Sequence, residues 1–573
     1  MDFQEFRQKI ASTQPRKWTP RQKHLDSLDR ALYGELYKHI KNAYSREYSD
    51  KWSRERISLD ERRASQQYQL PMMIARDLST RLFGESGRPT ILARFDDYSN
   101  SWIQALIDDT FMYFLYIDAA WQGSVGSVAI VTRVLAEEAE SEGESVDKNA
   151  PGRFYHEIWP SSECSPVFKR TAPDKLLRLT RTYFSKADQL RADGYDVDEL
   201  EKKWRDKKFG SSKKEIRLRR LADTAQNKAP EDWVLRVVLD AKSETWFEPI
   251  PMWLFELDDF KENEEWSINK DRSFDHNLGE VPAIWIRALP TRHANFPEGG
   301  STFEPIIDYQ FRIDRTLSQT GRAFDYVGDP QLALKRGNAA SGDFGEEEYS
   351  APEATASDIV EVEPDGDASF LEIRGEGLQV AIDTYVAMLR RIAREVGAAS
   401  RIDPEASPRE MSGVAMRMLE HALFGVVGIL RISNCDMGMI PHIRMCMRIA
   451  QRVKVALPSL ASKLKSSKSS ESKLDPNTAI EAQWPMLPEP SGTEKLAEVQ
   501  AASLAASSVT GPAAISHETL VANIGPLYDV RDPVKELAAI DTDADESQQN
   551  QLEMADSQAA ISAKYDTKAK PNA

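Results

Sequence analysis

The chain has 573 residues, 41% of them hydrophobic and 29% charged, with a formal net charge of −17. This is the make-up of a soluble globular protein large enough for several domains, and the acidic balance argues against a broad grip on nucleic acid, which rests on lysine and arginine. Its three cysteines, Cys164, Cys435 and Cys446, are too few and too scattered for a disulfide framework or a zinc site, and they fit a reducing, cytoplasmic setting.

In chain order, residues 1–10 are charged, so no signal peptide is expected. Residues 25–48 read as a helix with Leu25, Leu28, Leu32, Leu36 and Ile40 on one face. Residues 70–84 read as a second helix closed by Gly84, and residues 101–121 as a third carrying Trp102, Leu106, Phe111, Leu115 and Ile117. A glycine-spaced strand follows over 126–135. The acidic, serine-bearing stretch 137–152 is expected to be a mobile loop. Strands over 154–159 and 164–170 precede a charged helical stretch over 176–225. Within it, residues 202–220 hold ten Lys or Arg and two acids. Such a run can contact nucleic acid, but more often it is a solvated helix face. Residues 233–239, 245–250 and 253–257 read as a β-meander, and Ile284, Trp285 and Ile286 as a further strand entered through residues 279–282. Helices and antiparallel strands are segregated rather than alternating, which defines an α+β fold.

The longest elements lie between residues 301 and 400. A helix is expected from Ser301 to about Val327, with Phe303, Ile306, Ile313, Leu317 and Phe324 at helical spacings. Ser301 and Glu304 are spaced as a capping box, and Gly328 and Pro330 stop the helix. A second long helix is expected after Gly375 and Gly377, with Leu378, Ile382, Tyr385, Leu389, Ile392 and Val396 on one stripe and Gly397 as its C-cap. Each would span roughly 30–40 Å at 1.5 Å per residue. Residues 331–376 between them hold three short strand candidates (332–334, 359–362 and 370–373), with twelve acids against three bases. The plainest reading is a helical hairpin with a solvated insertion at its tip.

Residues 402–409 form a loop with two prolines. A helix from about Ser412 holds Met416, Leu419, Leu423 and Val427 and continues to about Leu457, bent near Gly438 and Pro441. A Ser/Lys linker over 459–477 leads to helices over 493–508, 516–524 and 529–540, and a polar, disordered tail is expected from Asp541. The best apolar run, 422–430, is far short of the roughly 20 residues that span a bilayer.

Motifs of chemistry are scarce. No Gly-Lys dipeptide occurs, so no Walker A loop can be built, and neither His-Glu-x-x-His nor Gly-x-Ser-x-Gly is present. The eight histidines lack metal-ligand spacing. Acid pairs such as Asp96-Asp97, Asp108-Asp109 and Asp258-Asp259 can ligate a metal, but more commonly they are solvated charges or helix caps. The methionines of 437–447 suit an adaptable contact surface or, more often, core packing. No catalytic residue, cofactor or metal is expected.

Several segments resemble, in order, the portal proteins of tailed bacteriophages with siphovirus-type portals. Arg81-Leu82-Phe83-Gly84-Glu85 resembles the end of the family's early wing helix, and Leu278-Gly279-Glu280-Val281-Pro282 its LGxxP strand entry. Ile307-Asp308 with Asp314 to Ser318 resembles its first stem helix, and Asp329-Pro330 to Gly337 the strand that opens the clip. Ser412-Gly413-Val414-Ala415-Met416 resembles the helix start after the tunnel loop. Ile515 to Thr519 and Asp532 to Ile540 resemble the crown. Each motif is weak alone; their order over about 470 residues carries the resemblance. The poorest matches, near 137–152 and 176–225, look like insertions in the wing.

The resemblance implies an α+β portal fold of wing, stem, clip and crown, assembled as a cyclic ring of twelve at one capsid vertex. Residues 1–300 would form the wing, 301–327 the first stem helix, 328–377 the clip and 378–400 the second stem helix. Residues 401–429 would be the tunnel loop and a wing helix, 430–545 the crown and 546–573 a disordered tail. The ring would be the channel for genome packaging and ejection. Its implied partners are itself, the major capsid protein, the terminase large subunit, a head-completion adaptor and double-stranded DNA passing without sequence specificity. No membrane is implied; the protein would be assembled in the host cytoplasm and reside in the virion. Tunnel-loop residues Arg401, Asp403, Glu405, Arg409 and Glu410 would line the DNA channel, and Glu346, Glu347, Glu348 and Asp365 of the clip would dock partners. Ile306, Ile313, Leu317, Ile382, Leu389 and Ile392 would pack the ring, because a lone hairpin leaves its stripes unburied. The alternatives are another capsid or packaging component, such as a scaffold or a packaging enzyme.

Overall fold

The computed structural model describes residues 2–46, 56–85, 87–93, 96–135, 152–209, 232–256, 266–291, 297–328, 332–335, 367–370, 376–396, 423–460 and 474–485, with a few short pieces elsewhere. The chain divides into two compact units, Met1–Glu85 with Ile91–Ala482, and Ser86–Thr90 with Gln483–Ala573. In the second, the described residues 499–501 and 520–521 are helical on two of the helices expected there, and the helical residues 536–542 run past the expected end at 540 into the stretch expected to be a disordered tail.

The N-terminal layer is helical. Phe3–Ile10 opens on a capping box in which Asp2 accepts from the Glu5 N–H at 2.8 Å and Glu5 accepts from the Asp2 N–H at 3.2 Å. Pro20–Leu32 opens on a second box, Thr19 with Gln22, and Pro20 costs nothing at a position whose N–H has no helical partner. The helix expected over 25–48 therefore starts earlier and stops at Leu32. Gly34 with φ +72° turns the chain, and Asn42–Ala43 is a strand instead. Leu70–Phe83 falls where its pattern put it, ending before Gly84. The single helix expected over 101–121 is two, Asp97–Asp109 and Met112–Gly123, separated by Phe111 in the left-handed region at φ 49°.

Two antiparallel sheets follow. The first has the order Ala283–Arg287, Ser127–Leu135, Arg153–Pro160, with Trp285, Ala129 and Trp159 in register across it. The second runs Phe274–Asp275, Ser243–Trp246, Asp232–Leu239, Ala172–Lys186, Cys164–Lys169, with Ile250–Pro251 also paired to Asp232–Leu239. Ala172–Lys186 corrects the helix expected from residue 176. Thr180, Thr182, Tyr183 and Phe184 favour an extended chain, and a strand partner on each side satisfies the backbone. Helices begin only at Ala187–Ala192 and Val197–Phe209. Residues 253–255 of the strand expected over 253–257 belong instead to the helical turn Met252–Phe255, and residue 257 lies outside the described residues.

A shared core of Ala129, Val131, Trp159, Cys164, Leu179, Val237, Leu239, Val281 and Ala283 draws on strands of both sheets. A charged chain runs beside it. Arg133 bonds Glu244 at 3.0 and 3.1 Å and Glu157 at 2.6 Å, while Arg181 bonds Glu157 at 2.7 Å and Glu163 at 2.8 Å. Both guanidinium groups lie over the Trp159 ring. Only the first part of the basic run 202–220 is described. There Lys203 pairs with Glu248 and Arg205 with Glu201 while Trp204 is buried, the arrangement of a solvated helix face.

The last large element is one helix, Leu423–Arg452, of 30 residues. Its expected bend near Gly438 and Pro441 is a π-helical stretch, Ile432–Met439, so the hydrogen-bond register changes without a break. Gly438 lies against Ile286, where a Cβ would come within 2.9 Å of that side chain. A wing–crown boundary at 430 would cut this helix; the division between compact units falls after Ala482. Sequence windows pointed to no span of membrane length. The helix does pass that test on length and composition, with a mean hydropathy of 1.4 in its best window. Half of that window is buried in the protein, and the helix carries buried Asn434 and His442, the pattern of a core helix.

Candidate functional site

The candidate site is the pair of long helices. The first starts with a 3₁₀ turn, Glu304–Ile306, and continues as Ile307–Gly328; the second is Glu376–Val396. Near the start of the first, Tyr309 lies 5.6 Å from the guanidinium of Arg391, near the end of the second, so the helices run antiparallel. At their turn, Leu332–Lys335 pairs antiparallel with Asp367–Phe370, Leu332 opposite Phe370 and Lys335 opposite Asp367. The first strand lies where it was expected; the second sits slightly earlier than residues 370–373. The third candidate, 359–362, lies outside the described residues, as do Pro330 and Gly397.

The capping box at Ser301 is half formed. Its hydroxyl accepts from the N–H groups of Phe303 and Glu304 at 3.3 and 3.2 Å. The Glu304 carboxylate turns to His24 at 3.3 Å instead of reaching back, and this hydrogen bond holds it below its ordinary range.

Polar residues fasten the base of the first long helix. Gln310, Asp314 and Ser318 recur at four-residue spacing on one face and are all buried. Ser318 accepts from the N–H groups of Ser65 and Gln66 at 3.1 and 3.2 Å. Asp314 accepts from the Tyr68 N–H at 2.8 Å, from the Tyr37 hydroxyl at 3.1 Å and from Gln310 at 2.6 Å. Gln310 accepts from the Leu70 N–H at 2.7 Å, which satisfies an orphan donor of Leu70–Phe83, a helix whose own preceding residue, Gln69, makes no cap. One turn before this face, Asp308 accepts from the Phe3 N–H at 2.7 Å. The helix thus holds segments 240 and 246 residues away through side chains that bond their backbones. Burial pushes the Asp314 carboxyl up to about 6 although three donors pull it down. Desolvation also raises the Tyr37 and Tyr385 hydroxyls.

The residues expected to pack a ring are distributed differently. Ile306 and Ile313, both 0% exposed, and Leu389 and Ile392, at 1% and 0%, are buried within the single chain. The first long helix packs against the second and against Leu70–Phe83, and Phe311 sets its ring on Phe6 and Tyr37. The expectation that a lone chain leaves both stripes open is therefore corrected: the N-terminal helices, whose role periodicity could not reveal, cover the base. Leu317 is half-buried, while among the described residues of the second helix the large apolar side chains left to solvent are Ile382 at 39% and Val380 at 65%. Arg401, Asp403, Glu405, Arg409 and Glu410 of the expected tunnel loop, and Glu346, Glu347, Glu348 and Asp365 of the expected clip, lie outside the described residues.

Sequence reasoning missed Gln310 altogether and took Asp314 and Ser318 only as letters of a motif. Their four-residue spacing on an otherwise apolar stripe was the available signal. No protein-family model matches this chain, and no curated protein matches it.

Proposed function

We propose that this chain is the subunit of a phage portal, a ring at one capsid vertex through which double-stranded DNA is packaged and ejected without sequence specificity. The carrying observation is the antiparallel pair of long helices with a two-strand ladder at its turn, fastened at its base by the polar positions of the stem motif. In this reading the helix pair is the stem, residues 328–377 the clip and 401–411 the loop that meets DNA. The stem ends near Val380 and Ile382 meet neighbouring copies, so a ring covers apolar surface that a single chain exposes. The clip meets the terminase large subunit and then the head-completion adaptor, and the outer body meets the major capsid protein. The role is structural rather than catalytic, and a net charge of −17 suits a conduit in which DNA must slide.

The mass and shape of the purified assembly test this. The expected result is a closed ring of twelve chains by native mass spectrometry and electron microscopy. Val380→Asp with Ile382→Asp should shift it to smaller species while each chain stays folded. A wild-type protein that remains monomeric at high concentration overturns the reading.

A further inference from the structure

Away from the long helices, three potential ligand side chains converge where the helix Leu423–Arg452 meets the first sheet. His442 and Cys446 are one helical turn apart and share a face. His156 and Thr132 are directly opposed on neighbouring strands, so they share a face of the sheet. The Thr132 hydroxyl lies 2.7 Å from His442 Nε2 and 3.0 Å from His156 Nδ1. A ligand atom from each of His156, His442 and Cys446 falls within 4.8 Å of the other two.

We infer that His156, His442 and Cys446 form a site for a divalent cation of the zinc class, clamping the long helix to the sheet. Tetrahedral zinc takes nitrogen at about 2.0–2.1 Å and thiolate sulfur at about 2.3 Å, which sets the ligand atoms about 3.5 Å apart, so ligands lying within 4.8 Å of one another close by about 1 Å through side-chain rotation when the cation binds. Two imidazoles and a thiolate favour zinc over the hard cations that choose carboxylates. A water can take the fourth position.

The surroundings fit ligation. His442 and Cys446 are fully buried. Burial keeps both imidazoles in the neutral form that binds metal, lowering His156 to about 4 and His442 well below its ordinary value. The Tyr116 hydroxyl, 3.1 Å from His442 Nδ1, fixes that ring so that Nε2 faces the cluster, as an outer-shell partner does. His156 Nε2 is buried with no hydrogen-bond partner, so one nitrogen of that ring is left unsatisfied by the protein alone. Burial raises the Cys446 thiol, so it is protonated until a cation arrives. Binding forms the sulfur–metal bond as the S–H bond breaks, and one proton leaves to solvent for each cation bound. The rival arrangement is a metal-free hydrogen-bond chain from Tyr116 through His442 and Thr132 to His156.

This inference is independent of the portal proposal, and its test reads the metal directly. The full chain, expressed with zinc and passed through metal-free buffer, should retain about one equivalent per chain. Cobalt in place of zinc should give a near-ultraviolet thiolate-to-cobalt band and tetrahedral visible bands. Cys446→Ser and His156→Gln should lose the band and the retained metal, whereas Cys435→Ser, on the same helix, should keep both. Zinc should raise the melting temperature of wild type and leave Cys446→Ser unchanged. Wild type that keeps under about a tenth of an equivalent and shows no cobalt band overturns the inference whatever the variants do, as does a band that survives Cys446→Ser.

Discussion

Asp314 is the residue on which most of the helix-pair geometry converges. Its carboxyl is raised from 3.8 to about 6 chiefly by desolvation, so the folded state holds a proton that the unfolded chain has released. A raised carboxyl contributes stability that is fully present below pH 3.8 and lost as pH rises through about 6. Asp29, pushed to about 7 by burial, acts with the same sign, while buried neutral His156 and His442 act with the opposite one, losing stability as pH falls below 6.5. The sum is therefore uninformative and the difference is not. Wild type should gain about 2 kcal/mol on Asp314→Asn between neutral pH and pH 4, measured by denaturant unfolding. A difference that is flat with pH would sink this account. Phe111 makes a second residue-scale case, with its left-handed backbone and a side chain 76% exposed. Phe111→Gly should be neutral or stabilise by up to about 1 kcal/mol, because it relieves the left-handed cost and removes little packing. A melting temperature lowered by several degrees would show that the ring packs in the folded chain after all.

At the scale of elements, the apolar stripe of the second long helix is covered unevenly along its length. Leu389 is buried within the single chain and Ile382 is not. Leu389→Asp should unfold the chain or cost about 4 kcal/mol, since it buries an unpaired charge. Ile382→Asp should change the stability of the isolated chain by less than about 1 kcal/mol. Equal losses in chemical denaturation would contradict the burial described here. Ala172–Lys186 carries the same lesson in another form. Its charged residues resemble a solvated helix, yet two strand partners make it the middle of a sheet, because backbone pairing on both edges adds to the extended preference of Thr180, Thr182, Tyr183 and Phe184.

At the scale of the whole molecule, charge decides which encounters are favoured. If the acidic stretch of the proposed clip steers basic partner surfaces, changing Glu346, Glu347 and Glu348 together to Lys should leave assembly intact and slow partner binding, most at low salt. Stopped-flow association with a purified terminase or adaptor checks it, and unchanged rates at low ionic strength would remove those glutamates from partner recognition.

Periodicity by itself determined the long helices, the helix Leu70–Phe83 and most of the strands, because a 3.6-residue or 2-residue apolar repeat is a local property of the chain. It also placed the strand Leu332–Lys335, a few residues beyond the end of the first long helix at Gly328. Only the tertiary structure decided which part of each apolar stripe is already covered. It also decided that Gln310, Asp314 and Ser318 hold distant backbone, and that His156 meets His442 and Cys446. Those outcomes depend on segments separated by hundreds of residues, 310 between Thr132 and His442. Burial, desolvation and convergence of ligands arise only when such segments pack, so no window of sequence can contain them.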